Sequence, residues 1–186
     1  NQVEAVSPAL SADGRFVAYV EERVAAPSGS SSFGDVFVRD MAFPENDPVL
    51  VSVGNDGEAG EAGTSISNSN RGSNLDKSSA NVSRPVVDIS DDGRKIAFVT
   101  RTSLDNADTD GNADVYLRDL DAGATRLISA DDNGSTSAGN VKISGDGRYI
   151  GFTSSFAFDP TDQDGSTDVY LFDTETGQYL LISTPI

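Results

Sequence analysis

The sequence contains the same two-part motif three times, with a fixed internal spacing. The first part is a Ser-x-Asp-Gly-Arg turn followed by alternating apolar residues, in segments 7–22, 84–101 and 140–155. The second part begins with Asp-Val-Phe or Asp-Val-Tyr. In every copy the second Asp follows the first by 22 positions: Asp13 to Asp35, Asp92 to Asp114, and Asp146 to Asp168. Chance would not preserve this spacing three times, so the chain consists of three structural repeats.

Each repeat predicts four antiparallel β-strands. An Asp-Gly pair between two alternating runs is a strong hairpin signal, because Gly adopts positive φ without cost. The runs FVAYV, KIAFV and YIGFT alternate with a period of two and are rich in β-branched and aromatic residues. A further run closes each repeat, at 49–53, 125–130 and 179–184. No segment has a sustained 3.6-residue period, so the predicted fold class is all-β, with helix nearly absent.

A four-stranded antiparallel meander that recurs along a chain is the blade of a β-propeller. We therefore divide the chain into blade one (1–54), blade two (84–135) and blade three (136–186). Residues 55–83 form an insertion rich in Gly, Ser and Asn, with almost no large apolar residue, which predicts a long surface loop.

The motif Ser-x-Asp-Gly-Arg-x-Ile/Val-Ala-Phe followed by Asp-Val-Tyr-x-x-Asp resembles the TolB-type, WD-like propeller repeat, and the three copies cover most of the chain. The resemblance implies a propeller fold but no particular function, because one fold hosts many functions. Closed propellers have about four to eight blades, and only three are present here. We therefore expect a partial propeller, completed by further blades of a longer chain or by copies of itself. Two copies would make six blades.

Clusters of aspartates precede the second motif part in repeats two and three. The candidate metal ligands are Asp105, Asp108, Asp110 and Asp114 in repeat two, and Asp159, Asp162, Asp164 and Asp168 in repeat three. Repeat one keeps only Asp35 at the equivalent place. Asp-x-Asp-Gly is the ligand spacing of calcium loops, in which Gly permits the tight turn. Oxygen ligands without His or Cys favour calcium or magnesium, and flexible loop carboxylates favour calcium. The sequence thus predicts up to two Ca²⁺ sites.

An alternative interpretation of these aspartates needs no metal. Asp, Asn and Gly also form Asx-turns in ordinary loops. Asp114 and Asp168 have a counterpart in Asp35, where no acidic run exists, so they could fix a turn at the start of a strand.

Other recurring side chains predict scaffold roles. We expect the turn Asp residues to hold hairpins, and Tyr116, Tyr170 and Phe37 to lie in the core between blades. The Arg that follows each turn is predicted to pair with the Asp that ends the third strand. The three predicted pairs are Arg15 with Asp40, Arg94 with Asp119, and Arg148 with Asp173.

Composition excludes several classes of function. The chain has no His and no Cys, which removes a Ser-His-Asp triad, a cysteine nucleophile and the usual zinc ligands. A net charge of −17 opposes binding to nucleic acid, and no apolar run is long enough to insert into a membrane. Three lysines, no Cys and many Asp, Ser and Gly residues favour an extracellular or cell-surface location, with the periplasm also compatible.

Three functions remain open. The favoured one is a non-catalytic extracellular propeller that calcium stabilises. It serves either to bind an unidentified protein or glycan ligand or to form structures by self-assembly. The alternatives are a propeller-type glycoside hydrolase or lyase using paired carboxylates, and the accessory propeller of a peptidase whose catalytic domain is not in this chain.

Overall fold

The computed structural model describes residues 2–24, 33–57, 87–109, 112–130 and 138–183. These residues form three four-stranded antiparallel sheets and no helix, which confirms the all-β prediction. No helix in the described part of the chain is long and apolar enough to span a membrane. The strands are β1 Gln2–Leu10, β2 Phe16–Val24, β3 Phe33–Asp40, β4 Val49–Leu50, β5 Val87–Ile89, β6 Lys95–Thr100, β7 Asp114–Asp119, β8 Ala124–Leu127, β9 Ala138–Ile143, β10 Tyr149–Ser154, β11 Asp168–Asp173 and β12 Gln178–Leu181.

Each sheet is a meander in which consecutive strands are neighbours: β1 to β4, β5 to β8, and β9 to β12. We refer to the three sheets as blades one, two and three. The limits drawn at residues 54, 83 and 135 stay predictions, and residues 58–83 of the insertion lie outside the described residues.

The Asp-Gly hairpin between the first two strands of each blade is held by a side-chain network. In blade one, Asp13 Oδ1 accepts hydrogen bonds from Ser11 Oγ at 2.7 Å and from the Arg15 N–H at 2.9 Å. Gly14 follows with a φ of +71°, which glycine adopts without the strain that a Cβ would cause. The same bonds recur at the other two turns, so these repeated residues specify the hairpin.

Blade two is covered on both faces. One of its faces packs against blade one through alternate residues that include Ile96, Phe98 and Tyr116. The opposite face packs against blade three through Ala97, Val99, Val115 and Leu117. The period-two alternation of β6 and β7 therefore serves two interfaces at once, which explains why both sets of alternate positions are apolar.

Backbone hydrogen bonds also join the hairpin turns of successive blades. The Ala12 N–H donates to the Asp91 carbonyl at 3.0 Å, and the Asp91 N–H donates to the Gly145 carbonyl at 2.8 Å. Beyond blade one, the Asn55 side chain binds the Thr125 backbone in β8: its amide donates to the carbonyl at 2.9 Å, and its oxygen accepts from the N–H at 2.7 Å. Successive blades are thus held by polar contacts as well as by their apolar faces.

The aromatic residues expected between blades occupy two different environments. Tyr116 and Tyr170 are fully buried at the two interfaces, as expected. Phe37 is only half-buried and stacks on Tyr19 of its own blade, with ring centroids 6.1 Å apart. Its strand position matches that of the two tyrosines, but it lies on the face of blade one that points away from blade two.

Candidate metal centre

The acidic loops connect the second and third strands of blades two and three. They lie between β6 and β7 and between β10 and β11, and the last predicted ligand of each loop, Asp114 or Asp168, begins the third strand. In blade two, Asp105, Asp108 and Asp114 are described, whereas Asp110 lies outside the described residues. All four predicted aspartates of the blade-three loop are described.

The blade-three loop brings three carboxylates together. One carboxylate oxygen each of Asp162, Asp164 and Asp168 lies within 4.8 Å of the others. Asp159, the fourth predicted ligand, is not in this group and instead accepts hydrogen bonds from the backbone and hydroxyl of Thr161, at 2.9 and 2.6 Å. Among the described residues no second group of this kind occurs, and the blade-two loop is described only in part.

A buried tyrosine binds one aspartate of each acidic loop. The Tyr116 hydroxyl donates to Asp108 Oδ2 at 2.5 Å, and the Tyr170 hydroxyl donates in the same way to Asp162 Oδ2. Burial raises the pKa of both tyrosines, and the carboxylates raise it further because they disfavour a phenolate. In blade one the equivalent residue is Phe37, which has no hydroxyl, and there the loop lacks the aspartates. Asp108 and Asp162 therefore have a structural role that sequence reasoning missed.

A second recurring contact holds the aspartate that begins the third strand. Asp35, Asp114 and Asp168 each accept a hydrogen bond from a Ser hydroxyl near the last strand of their blade. The same Ser oxygen accepts the N–H of the residue after the Asp, at 3.1, 2.9 and 2.8 Å. The three serines are Ser52, Ser129 and Ser183. Because blade one has this contact and no acidic run, it supports a structural role for Asp114 and Asp168 beside any role in binding metal.

Hydrogen bonds keep two carboxylates of the blade-three loop easily ionised. The Ser166 hydroxyl and backbone lower the pKa of Asp164, and the Thr161 hydroxyl and backbone lower that of Asp159. A carboxylate that stays charged is a good ligand for a hard cation. The same property makes it a poor general acid, because proton donation near neutral pH needs a raised pKa.

The predicted Arg–Asp pairs form in two of the three blades. Arg15 binds Asp40 through two hydrogen bonds of 2.8 and 2.7 Å, and Arg148 lies 2.7 Å from Asp173. These guanidinium groups lower the pKa of each Asp to about 2.

The prediction for Arg94 was wrong. Its ion pair is with Asp121 at 3.8 Å, while Asp119 accepts backbone N–H groups of its own turn. The Arg94 guanidinium also makes a contact between blades, since it lies over the Phe16 ring of blade one, 4.8 Å from its centroid.

No protein-family model and no curated protein sequence matches the chain. Solved structures do match it in fold. The β-propeller domain of the Trilobed protease from Pyrococcus furiosus matches at 16% identity and a TM-score of 0.57, covering 100% of this chain and 44% of that chain. The tricorn protease matches at 12% and 0.50, covering 91% of this chain and 14% of that one.

Prolyl oligopeptidase B from Galerina marginata matches at 13% identity and a TM-score of 0.51, covering 97% of this chain and 22% of that chain. The chain therefore spans less than half of each of these chains. At such low identities the similarity concerns the fold alone. By fold, the three repeats are blades of a β-propeller.

Proposed function

We propose that this chain is a non-catalytic β-propeller module whose blade-three loop binds calcium. The observation that supports a metal is the convergence of Asp162, Asp164 and Asp168 within 4.8 Å. A chain without His or Cys offers only oxygen ligands, and these suit calcium or magnesium. A second site in the blade-two loop is proposed from sequence alone, since Asp110 lies outside the described residues.

Calcium would stabilise the fold by linking the loop to the strand that follows it. Asp162 and Asp164 lie in the loop, whereas Asp168 begins β11. At a free calcium concentration ten times the dissociation constant, binding adds about 1.4 kcal/mol per site to the free energy of unfolding. For a chain of this length that raises the melting temperature by roughly 3–6 °C. Extracellular calcium modules bind at roughly 0.1–1 mM, so the proposal places the protein outside the cell or in the periplasm.

The test is thermal unfolding in chelator, in millimolar calcium and in millimolar magnesium, together with calorimetric titration of calcium. Asp164→Asn removes one charge from the cluster and keeps an oxygen that can accept the Ser166 N–H. We expect it to lose one bound ion. Asp159→Asn is the matched control in the same loop and should retain binding. Identical melting curves in calcium and chelator would refute the metal site.

A role for these carboxylates in glycoside cleavage is less well supported. One carboxyl of such a pair must donate a proton and needs a raised pKa. The pKa values of Asp159 and Asp164 are lowered instead.

A second candidate function is that of a peptidase's accessory propeller. The observation that favours it is that the Trilobed protease propeller, the tricorn protease and prolyl oligopeptidase B all match the chain in fold. The catalytic residues would then belong to another part of the protein, since this chain has no His. The intact mass of the natural polypeptide tests this, because a mass equal to that of 186 residues excludes a catalytic domain in the same chain.

In either function three blades need partners for their outer faces. We include association with further blades, or with a second copy, in the proposed function. The proposal also keeps the resemblance of the three repeats to the TolB-type propeller repeat, which rests on the sequence.

A further inference from the structure

The two outer faces of the three-blade stack carry the two halves of an interface that already forms twice inside the molecule. We propose that a second copy of this chain docks head to tail, its blade one packing on the open face of blade three. The proposal rests on the assembly part of the proposed function, and it specifies the surfaces that meet and the groups that join them.

The first half of the interface is an apolar triad on the face that each blade turns toward the next. It consists of two alternate residues of the third strand and the residue that directly follows the last strand. The N–H of that last residue donates to the carbonyl of the first at 2.8 Å in every blade. The triads are Val36, Val38 and Val51 in blade one, Val115, Leu117 and Ile128 in blade two, and Val169, Leu171 and Ile182 in blade three.

The following blade buries the first two triads but not the third. Val51 and Ile128 are 0% exposed, whereas Ile182, their equivalent in blade three, is 49% exposed. Val169 is 40% exposed, whereas Val115, its equivalent in blade two, is 0% exposed. Blade three thus presents, without a partner among the described residues, the surface that its two equivalents bury completely. Contiguous apolar surface of this kind usually marks an interface.

The second half is a pair of aromatic rings on the opposite face of each blade. Phe98 and Tyr116 in blade two have centroids 5.9 Å apart, and so do Phe152 and Tyr170 in blade three. All four side chains are buried against the preceding blade. The equivalent pair in blade one is Tyr19 stacked on Phe37; both are half-buried, and neither belongs to the two core clusters between the blades.

The hairpin turns supply matching polar ends. Each turn donates a backbone N–H to the carbonyl of the next turn, from Ala12 to Asp91 and from Asp91 to Gly145. Within the described part of the chain, the Gly145 N–H and the Ala12 carbonyl have no protein partner. Docking in the same register lets Gly145 of one copy donate to Ala12 of the next.

A close packing contact follows the same pattern. The Phe16 ring of blade one lies so near Gly93 of blade two that a Cβ there would come within 2.3 Å of a ring carbon. In the docked pair the equivalent residues are Tyr149 of one copy and Gly14 of the next. A Cβ at Gly14 would meet nothing within 4 Å in the isolated chain, which leaves room for that ring.

An interface between two different faces is heterologous, so it either closes into a ring or continues as an open fibre. Net charge opposes it, because each copy carries −17. The charges are screened over roughly 8 Å at physiological salt, and we therefore expect association to strengthen as salt is added.

The experiment is sedimentation velocity of the purified chain at micromolar concentration, with Phe37→Asp and Ile182→Asp as blocking variants. We expect the unmodified chain to form dimers or larger species, and each variant alone to be a monomer. An equimolar mixture of the two variants should form a 1:1 dimer, because each retains the face that the other has lost. Phe43→Asp, at an exposed residue on neither face, is the matched control and should associate normally.

Recovery of association in the mixture also shows that both variants are folded. Should either variant fail to fold by circular dichroism, Tyr19→Asp or Val169→Asp replaces it on the same face. A monomeric unmodified chain, a mixture that stays monomeric, or a single variant that still associates would each overturn the proposal. All runs are repeated in chelator: association that persists there supports docking even if no calcium site exists.

Discussion

Replacing Tyr116 by Phe tests whether the tyrosine–aspartate contact stabilises the acidic loop. The hydroxyl of this fully buried side chain donates to Asp108 Oδ2 at 2.5 Å and accepts the Leu104 N–H at 3.2 Å. Tyr116→Phe removes both hydrogen bonds and changes little else in shape. It also places a buried carboxylate beside a ring that has no donor.

The expected cost follows from these two contacts. A hydrogen bond to a charged group contributes about 1.5–3 kcal/mol, and one between neutral groups contributes about 0.5–1.5 kcal/mol. Water that enters the loop would recover part of this loss, so we expect the free energy of unfolding to fall by about 2–3 kcal/mol. For a chain of this length the melting temperature should fall by roughly 4–12 °C.

Urea unfolding followed by circular dichroism measures this change. Tyr149→Phe is the control, because the Tyr149 hydroxyl has no hydrogen-bond partner among the described residues, and its loss should cost less than about 0.5 kcal/mol. In a double-mutant cycle, Tyr116→Phe and Asp108→Asn should be coupled by about 1 kcal/mol or more. A Tyr116→Phe protein as stable as Tyr149→Phe, or additive single changes, would refute a stabilising contact.

Three further predictions concern other parts of the fold. Gly93→Ala should lower the free energy of unfolding by about 2–5 kcal/mol, and Gly123→Ala should lower it by about 1–2 kcal/mol. Both glycines have positive φ, but only Gly93 packs against an aromatic ring. Equal losses of stability in urea unfolding would contradict this close approach. Asn55→Ala should cost about 1–2 kcal/mol, since it removes two hydrogen bonds to the blade-two backbone, and an unchanged urea midpoint would exclude this contribution. The lowered pKa values of Asp40 and Asp173, about 2, mean that their ion pairs stabilise the fold fully above about pH 4 and not below about pH 2. The difference in melting temperature between the unmodified chain and the Asp40→Asn, Asp173→Asn double variant should therefore shrink as the pH falls through this range; a constant difference would refute it.

Local patterns in the sequence predicted the strands and the turns because their causes are local. The Ser, Asp, Gly and Arg residues of each turn lie within five positions of one another, and they make the same bonds in all three blades. The partial exposure of the Phe37 side chain was not predictable from local patterns. Its strand position is that of Tyr116 and Tyr170, but burial of the position depends on whether another blade precedes it.

The contacts around the acidic loops depend on residues that are separated in sequence. Ser129 lies 15 positions after the Asp114 that it binds, and a single serine in a chain rich in Ser gives no signal. The tyrosine contact did leave a signal, since Tyr replaces Phe only in the two repeats that have acidic loops. The contact of Arg94 with Phe16 could not be predicted from its own repeat, because the ring belongs to the preceding blade.

The last strand of each blade is short, with two residues in β4 and four each in β8 and β12. In β8, moreover, the Asn55 side chain occupies both the N–H and the carbonyl of Thr125. An exposed sheet edge can recruit strands from other molecules and so begin cross-β aggregation. These edges offer little backbone for such recruitment. Backbone pairing with strands of other molecules should therefore be disfavoured at the last-strand edge of each blade.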